Sequence, residues 1–415
     1  RGGRPGGSRF QVLRVCCERA GTPHTQLSAS MAQWTVVGGA DKGGILVREG
    51  EGLKSPQCSE RLSTGATIEE MELIGERLHY KLVDGTGPKE GWVSLKISGK
   101  ELVVPKEEDI GGPGEAAAVP VDEELKAKIE AEAAEHDKAG DILLFCPKYK
   151  VLGGPLEDPK LRIICFHNAG STESTYTGPG TVLFKWIKEC KKVEMLAVDY
   201  PGRDKIMKMP KHYSQDTLCP LLLAVLYNKI NDGVPYVVWG HSVGTWVAFE
   251  FLLLARKCGL PMPKAAFLNA FPAPHMPVSM RPWKRSKLLN SAGVKEELMN
   301  WDKGHFTGAG KVVYDEPGWT ETWEPMMRAD FQLYDEYKFK HAGAPPFDFN
   351  LHTWHMEGEF LNKANMIEMW QPWTSAKWDF KIMKEMGHLT CFYNPEYKKI
   401  YIGDVTKLIQ GYADL

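Results

Sequence analysis

VVWGHSVGTWVAFEF, residues 237–251, sets a short polar cluster between a run of strand formers and a run of helix formers. GHSVG at 240–244 fits the pattern G-x-S-x-G, in which a strand turns sharply into a helix and holds a serine hydroxyl clear of a sheet. The spacing has a steric reason. So tight a turn presses the positions two before and two after the serine against neighbouring backbone, where Gly240 and Gly244 add no side chain. TWVAFEFLLLARK then reads as a helix whose N-terminal N–H groups face the place where negative charge would develop. A glycine-rich chain can contain the pattern by chance. The strand before the serine and the helix after it are what give it weight.

Outward from this turn, the chain from Asp141 onward alternates apolar runs with helix-length stretches: DILLFC, LRIICF, VEMLAVDY, PYVVWG, KAAFLNAF, FNLHTWHM and WDFKIM. Continuous apolar strands separated by helices predict an α/β fold with a mostly parallel sheet covered on both faces, over 141–415. Residues 34–104 read differently, as short strands broken by Gly-rich or polar turns, with Leu78, Tyr80 and Leu82 alternating onto one face. That pattern predicts a small all-β barrel. Between the two lies 105–140, an acidic Gly/Pro linker followed by a helix that Asp122 would cap, read as a solvated spacer.

Residues 1–30 carry five arginines against one acid, Glu18, and precede Met31. They read as a disordered or untranslated leader, or as an organelle transit segment. Composition is that of a globular chain, 43% hydrophobic and 25% charged, with a formal net charge of −2. This balance gives no global attraction to nucleic acid or anionic lipid. The nine cysteines form no CxxC pair and no zinc-ligand spacing, so neither a metal nor another cofactor is expected. Cys146 and Cys165 lie in apolar runs that suit a reducing compartment, hence a cytoplasmic location unless 1–30 directs the chain to an organelle. The longest apolar stretches, 217–227 and 249–255, fall short of the roughly 20 residues that span a bilayer.

An unassisted serine is a poor nucleophile and needs a base and an orienting acid, in the chain order Ser, Asp/Glu, His for this fold. His388, in the loop after WDFKIM near the end of the chain, is the candidate base. His167, His241, His352 and His355 read as structural. Glu357 and Glu359 follow a strand; Glu359 is the candidate acid, with Glu357 and then Asp379 behind it. The N–H of Val243 and that of Ala169, in the loop CFHNAGSTEST at 165–175, are the candidate oxyanion donors.

Together these motifs resemble the type II thioesterases that accompany polyketide and nonribosomal peptide synthases. IICFHNAGSTEST, DYPGRD at 199–204, GHSVG, MMRADFQLYDEYKF at 326–339 and MGHLTCFYNP occur in that family's order. The family's spacing between acid and tryptophan, applied to Trp370, selects Glu359 over Glu357. Departures are the Glu in place of the usual Asp, His167-Asn168 where Pro-His is usual, and Met386 before Gly387. The resemblance implies an α/β-hydrolase that cleaves acyl thioesters on the phosphopantetheine arm of an acyl or peptidyl carrier protein, in polyketide, peptide or fatty acid synthesis. It also implies a lid at about 279–345, rich in Trp283, Trp301, Trp319, Trp323, Met326 and Met327, over an acyl channel. The 34–104 region resembles the bacterial-type SH3-like domain, with Trp92 near its last strand, and its ligand is unspecified. Competing readings are an oxygen-ester esterase or lipase with the same residues, and an inactive scaffold that binds through the SH3-like module.

Overall fold

The computed structural model describes residues 33–106 and 111–413, so the expectations for 1–30, including Cys16 and Cys17, lie outside the described residues. The chain forms two compact units that divide between residues 106 and 107. The first is all antiparallel: a seven-stranded sheet in the order 57–62, 45–48, 90–94, 77–84, 67–74, 33–36, 103–105, with a two-stranded pair, 96–97 and 100–101, beside it in sequence. The expected alternation holds, with Leu78 and Tyr80 fully buried, Leu82 half-buried and Lys81 exposed on the opposite face. Val36, Val47, Leu62 and Ile68 complete a core of this unit's own. Trp92 lies on the strand Glu90–Ser94, stacked on His79 with ring centroids 4.9 Å apart.

The second unit is built on six parallel strands: β1 (Leu161–Phe166), β2 (Val193–Val198), β3 (Tyr236–His241), β4 (Ala265–Asn269), β5 (Asn350–Met356) and β6 (Trp378–Met383). Their order is β2-β1-β3-β4-β5-β6. Every residue of β1 to β4 is buried, as a sheet covered on both faces requires. Helix α1 (Glu123–Ala139) packs on α2 (Gln215–Ile230), which packs on α3 (Val243–Lys257) along the sheet. On the other face, Val182–Cys190 and the C-terminal helix cover Leu161, Met195, Val237 and Phe267.

Two sequence expectations change here. Asp122 does cap α1, accepting from the Leu125 N–H at 3.0 Å, but the helix is not a solvated spacer. Ile129 and Ala133 are buried and the Tyr227 hydroxyl donates to Glu130 at 2.6 Å, so a sparse apolar stripe suffices to dock it. DILLFC is not a strand; Ile142–Phe145 is a single helical turn. Leu144 is exposed while Phe145 and Cys146 are buried, the one-sided pattern of a helical turn, which a run this short cannot distinguish from a strand by periodicity.

The turn from β3 to α3 follows the steric argument from sequence. Ser242 has φ 58° and ψ −135°, a strained backbone for a residue with a side chain. A Cβ on Gly240 would stand 2.5 Å from the Gly244 carbonyl oxygen, and one on Gly244 only 2.1 Å from the Phe166 carbonyl oxygen. Both glycines are therefore required by close backbone approach. Residues 270–349, between β4 and β5, form the helical insert, whose longer helices are α4 (Ser291–Thr307) and α5 (Trp323–Asp335).

Candidate active site

Three loops at the C-terminal ends of β3, β5 and β6 converge. His388 Nε2 lies 2.7 Å from Ser242 Oγ, and His388 Nδ1 lies 3.0 Å from Glu359 Oε1. All three side chains are buried. The carboxylate can only accept, so Nδ1 carries the ring proton and Nε2 is left as the acceptor for the serine hydroxyl. The two other acids considered from sequence are engaged elsewhere. Glu357 pairs with Lys384 at 2.5 Å, and Asp379 with His352 Nδ1 at 3.0 Å.

His241, inside the turn, stands behind the histidine rather than in front of the serine. Its Nε2 donates to the His388 carbonyl at 2.7 Å, and its Nδ1 is 3.1 Å from the Tyr401 hydroxyl. Burial, and the positive charge His388 would carry, push its pKa well below the usual range, so it stays neutral and keeps that donor. Asn269, at the end of β4, donates to the same Tyr401 hydroxyl at 3.0 Å and accepts the Ser242 N–H through its backbone carbonyl at 3.0 Å. The turn and the histidine loop are thus held to one buried polar network.

The loop after β1 carries Ala169 beside Ser242 in the wall of a narrow cleft. Leu298, Trp301, Phe306 and Phe331 from the insert form its apolar side. Of the aromatic and methionine residues singled out in the insert, Trp301 lines this cleft. Trp283 instead stacks on Phe271 at 5.2 Å, Trp319 and Met327 join the core shared with the sheet, Met327 lying against Gly170, and Met326 is buried. Among the described residues no group of three or more His, Cys, Asp or Glu is placed to hold a metal ion.

Two residues that brace the site went unassigned in the sequence although their motifs were quoted. Arg203 of DYPGRD and Asp330 of RADF form a buried bidentate pair, at 2.5 and 2.9 Å. Arg203 also donates to the Ser171 carbonyl at 2.7 Å, and Asp330 accepts the Gly170 N–H at 2.8 Å. The pair therefore clamps the loop that presents Ala169. Asp330→Ala would strand a guanidinium that is 3% exposed, a change that costs on the order of 3–5 kcal/mol. Urea unfolding should show that loss as a fall in midpoint at unchanged slope.

The comparisons fit this geometry. Residues 161–392 match the thioesterase domain family. A gramicidin S biosynthesis protein of Aneurinibacillus migulanus is 22% identical over 242 residues, 58% of this chain and 86% of its own length. The human medium-chain S-acyl fatty acid synthase thioesterase is 24% identical over 173 residues, 41% of this chain and 60% of its own. Among solved structures, the type II thioesterase YbtT of the yersiniabactin pathway superposes with a TM-score of 0.52 at 18% identity, covering 63% of this chain and 98% of that one. RedJ, a thioesterase of prodiginine biosynthesis in Streptomyces coelicolor, gives 0.50 at 20% identity, covering 61% and 89%. With its parallel sheet, its serine turn and its family match over more than half its length, the chain belongs to the thioesterase family, as an α/β-hydrolase that cleaves acyl thioesters.

Proposed function

We propose that Ser242 is the nucleophile, His388 the base and then acid, and Glu359 the orienting carboxylate of a hydrolase acting on acyl groups carried by the phosphopantetheine arm of a carrier protein. The observation that supports this most is the continuous relay from Ser242 Oγ through His388 to Glu359, at 2.7 and 3.0 Å. Ser242 Oγ attacks the thioester carbonyl as its proton passes to His388 Nε2. The resulting oxyanion is received by the N–H groups of Val243, the first residue of α3, and Ala169. Collapse breaks the C–S bond, and His388 returns the proton to the leaving sulfur. Water, deprotonated by the same histidine, then releases the acid from the acyl-serine.

The apolar side of the cleft suits an acyl chain, and the serine at its polar end suits a carbonyl delivered on a slender arm. The biosynthetic relatives support a carrier protein as the bearer of that arm. The seven described cysteines are free thiols, which supports a reducing, cytoplasmic setting, and no described helix is long and apolar enough to cross a membrane. The domain reading follows the same lines, with an SH3-like module at 34–104 preceding a hydrolase whose lid spans about 279–345.

The test presents one acyl chain in two forms, as a thioester on a loaded carrier protein and as a simple oxygen ester. The expected result is faster release from the carrier, read by intact mass. Equal or faster ester cleavage would replace this reading with a carboxylesterase.

A further inference from the structure

Helix α4 of the insert is broken at one residue. Asp302 has φ −156° and ψ 87°, extended backbone inside an otherwise helical run. Its carboxylate is buried, and its two oxygens do different things. Oδ1 accepts the His305 N–H at 2.9 Å, capping the second half of its own helix. Oδ2 leaves the insert and accepts the N–H groups of Leu389 and Thr390, at 2.7 and 2.8 Å. Those are the two residues directly after His388. The adjacent Trp301 lays its ring against the His388 imidazole, with centroids 4.7 Å apart. Gly387, on the other side of the histidine, leaves room for this: a Cβ there would stand 2.8 Å from Asp302 Oδ2.

The rest of the His388 loop is held by the sheet domain itself. Gly387 donates to Thr390 Oγ1 at 2.8 Å, and the His388 carbonyl accepts from His241. The first peptide group after the histidine is gripped from both sides, its carbonyl by His241 and its N–H by Asp302, and the N–H of the second, from Thr390, is held by Asp302 as well. We infer that Asp302 is a positioning residue for the general base, and that the insert, by seating Trp301 and Asp302 on the His388 loop, completes the catalytic relay as well as covering the cleft. The inference rests on the proposed roles of Ser242 and His388. Lifting the insert would release the ring and two backbone donors together, leaving the His388 loop to the His241 bond and its own hydrogen bonds.

The experiment uses the full chain with Asp302→Asn and Asp302→Ser. Both replacements retain a side-chain oxygen that can cap the second half of α4. Asparagine, with one oxygen only, cannot serve both helix and loop, and serine is too short to reach Leu389. A misplacement of about 1 Å at a base costs up to about a hundredfold. The expected result is a 10- to 100-fold fall in kcat at unchanged KM for an acyl thioester, with a modest fall in thermal midpoint from the loop N–H groups left unpaired. Phosphonylation of Ser242 by a fluorophosphonate should slow by a similar factor. A kcat and labelling rate equal to wild type in both variants would overturn the inference and leave Asp302 a helix cap. The labelling arm needs no thioester. If wild type labels at Ser242 but cleaves no thioester, the substrate reading fails while slower labelling in the variants still supports the positioning role.

Discussion

Replacing Ser242 by alanine lowers turnover of an acyl thioester about a millionfold, the loss expected when the nucleophile of a cooperating relay is removed. The size follows from the geometry. His388 Nε2, 2.7 Å away, loses the hydroxyl it activates, and what remains is chiefly the oxyanion environment and binding. The apolar side of the cleft comes from Leu298, Trp301, Phe306 and Phe331, none of which touches this change, so substrate binding should persist. The strained backbone at 242 tolerates alanine no worse than serine, and the fold should be kept. His388→Ala should cost nearly as much, and the double variant little more than either, because the two side chains act as one unit. Acyl release from a loaded carrier, followed by intact mass, measures all three. Additive losses would mean that Ser242 and His388 do not share a step.

What the sequence revealed was governed by local rules. GHSVG was readable because strand formers precede it and helix formers follow it, and because Gly240 answers to a clash with Gly244 inside the turn; the Phe166 carbonyl that Gly244 must clear lies on another strand. That Ser242, Glu359 and His388 would meet was readable because each follows the end of a parallel strand, β3 and β5 almost wholly buried and β6 a half-exposed edge strand. The contacts that hold the site were not readable. Arg203 and Asp330 are 127 residues apart, and Asp302 reaches Leu389 across 87. Nothing in local spacing marks a carboxylate as the partner of a distant N–H. The short turn at Ile142–Phe145 was misread for the opposite reason: four apolar residues carry too little pattern to show a period. For the insert's aromatic residues the resemblance implied a channel, whereas packing gives Trp283 and Trp319 to the core shared with the sheet and brings Trp301 to the cleft.

Glu359→Gln should lower kcat about ten-thousandfold, through the ring tautomer more than through lost charge. In the native site Glu359 Oε1 faces His388 Nδ1, while its other oxygen is buried without a partner among the described residues. Glutamine must then choose. With its carbonyl toward Nδ1, the amide N–H groups occupy that second, buried position and find no acceptor, which costs about 1–3 kcal/mol. With the amide toward Nδ1, the ring proton is driven to Nε2, where it points at Ser242 and the base can no longer accept. The second arrangement spares the buried donors and disables the relay. Glu359→Asp keeps a carboxylate at the cost of one methylene of reach and should retain far more activity than the glutamine variant. Rates of Ser242 phosphonylation should fall in the same order, wild type, then aspartate, then glutamine. If the glutamine variant matched wild type, the acid of the relay would have to be sought elsewhere, and neither Glu357, tied to Lys384, nor Asp379, tied to His352, is placed to supply it without rearrangement.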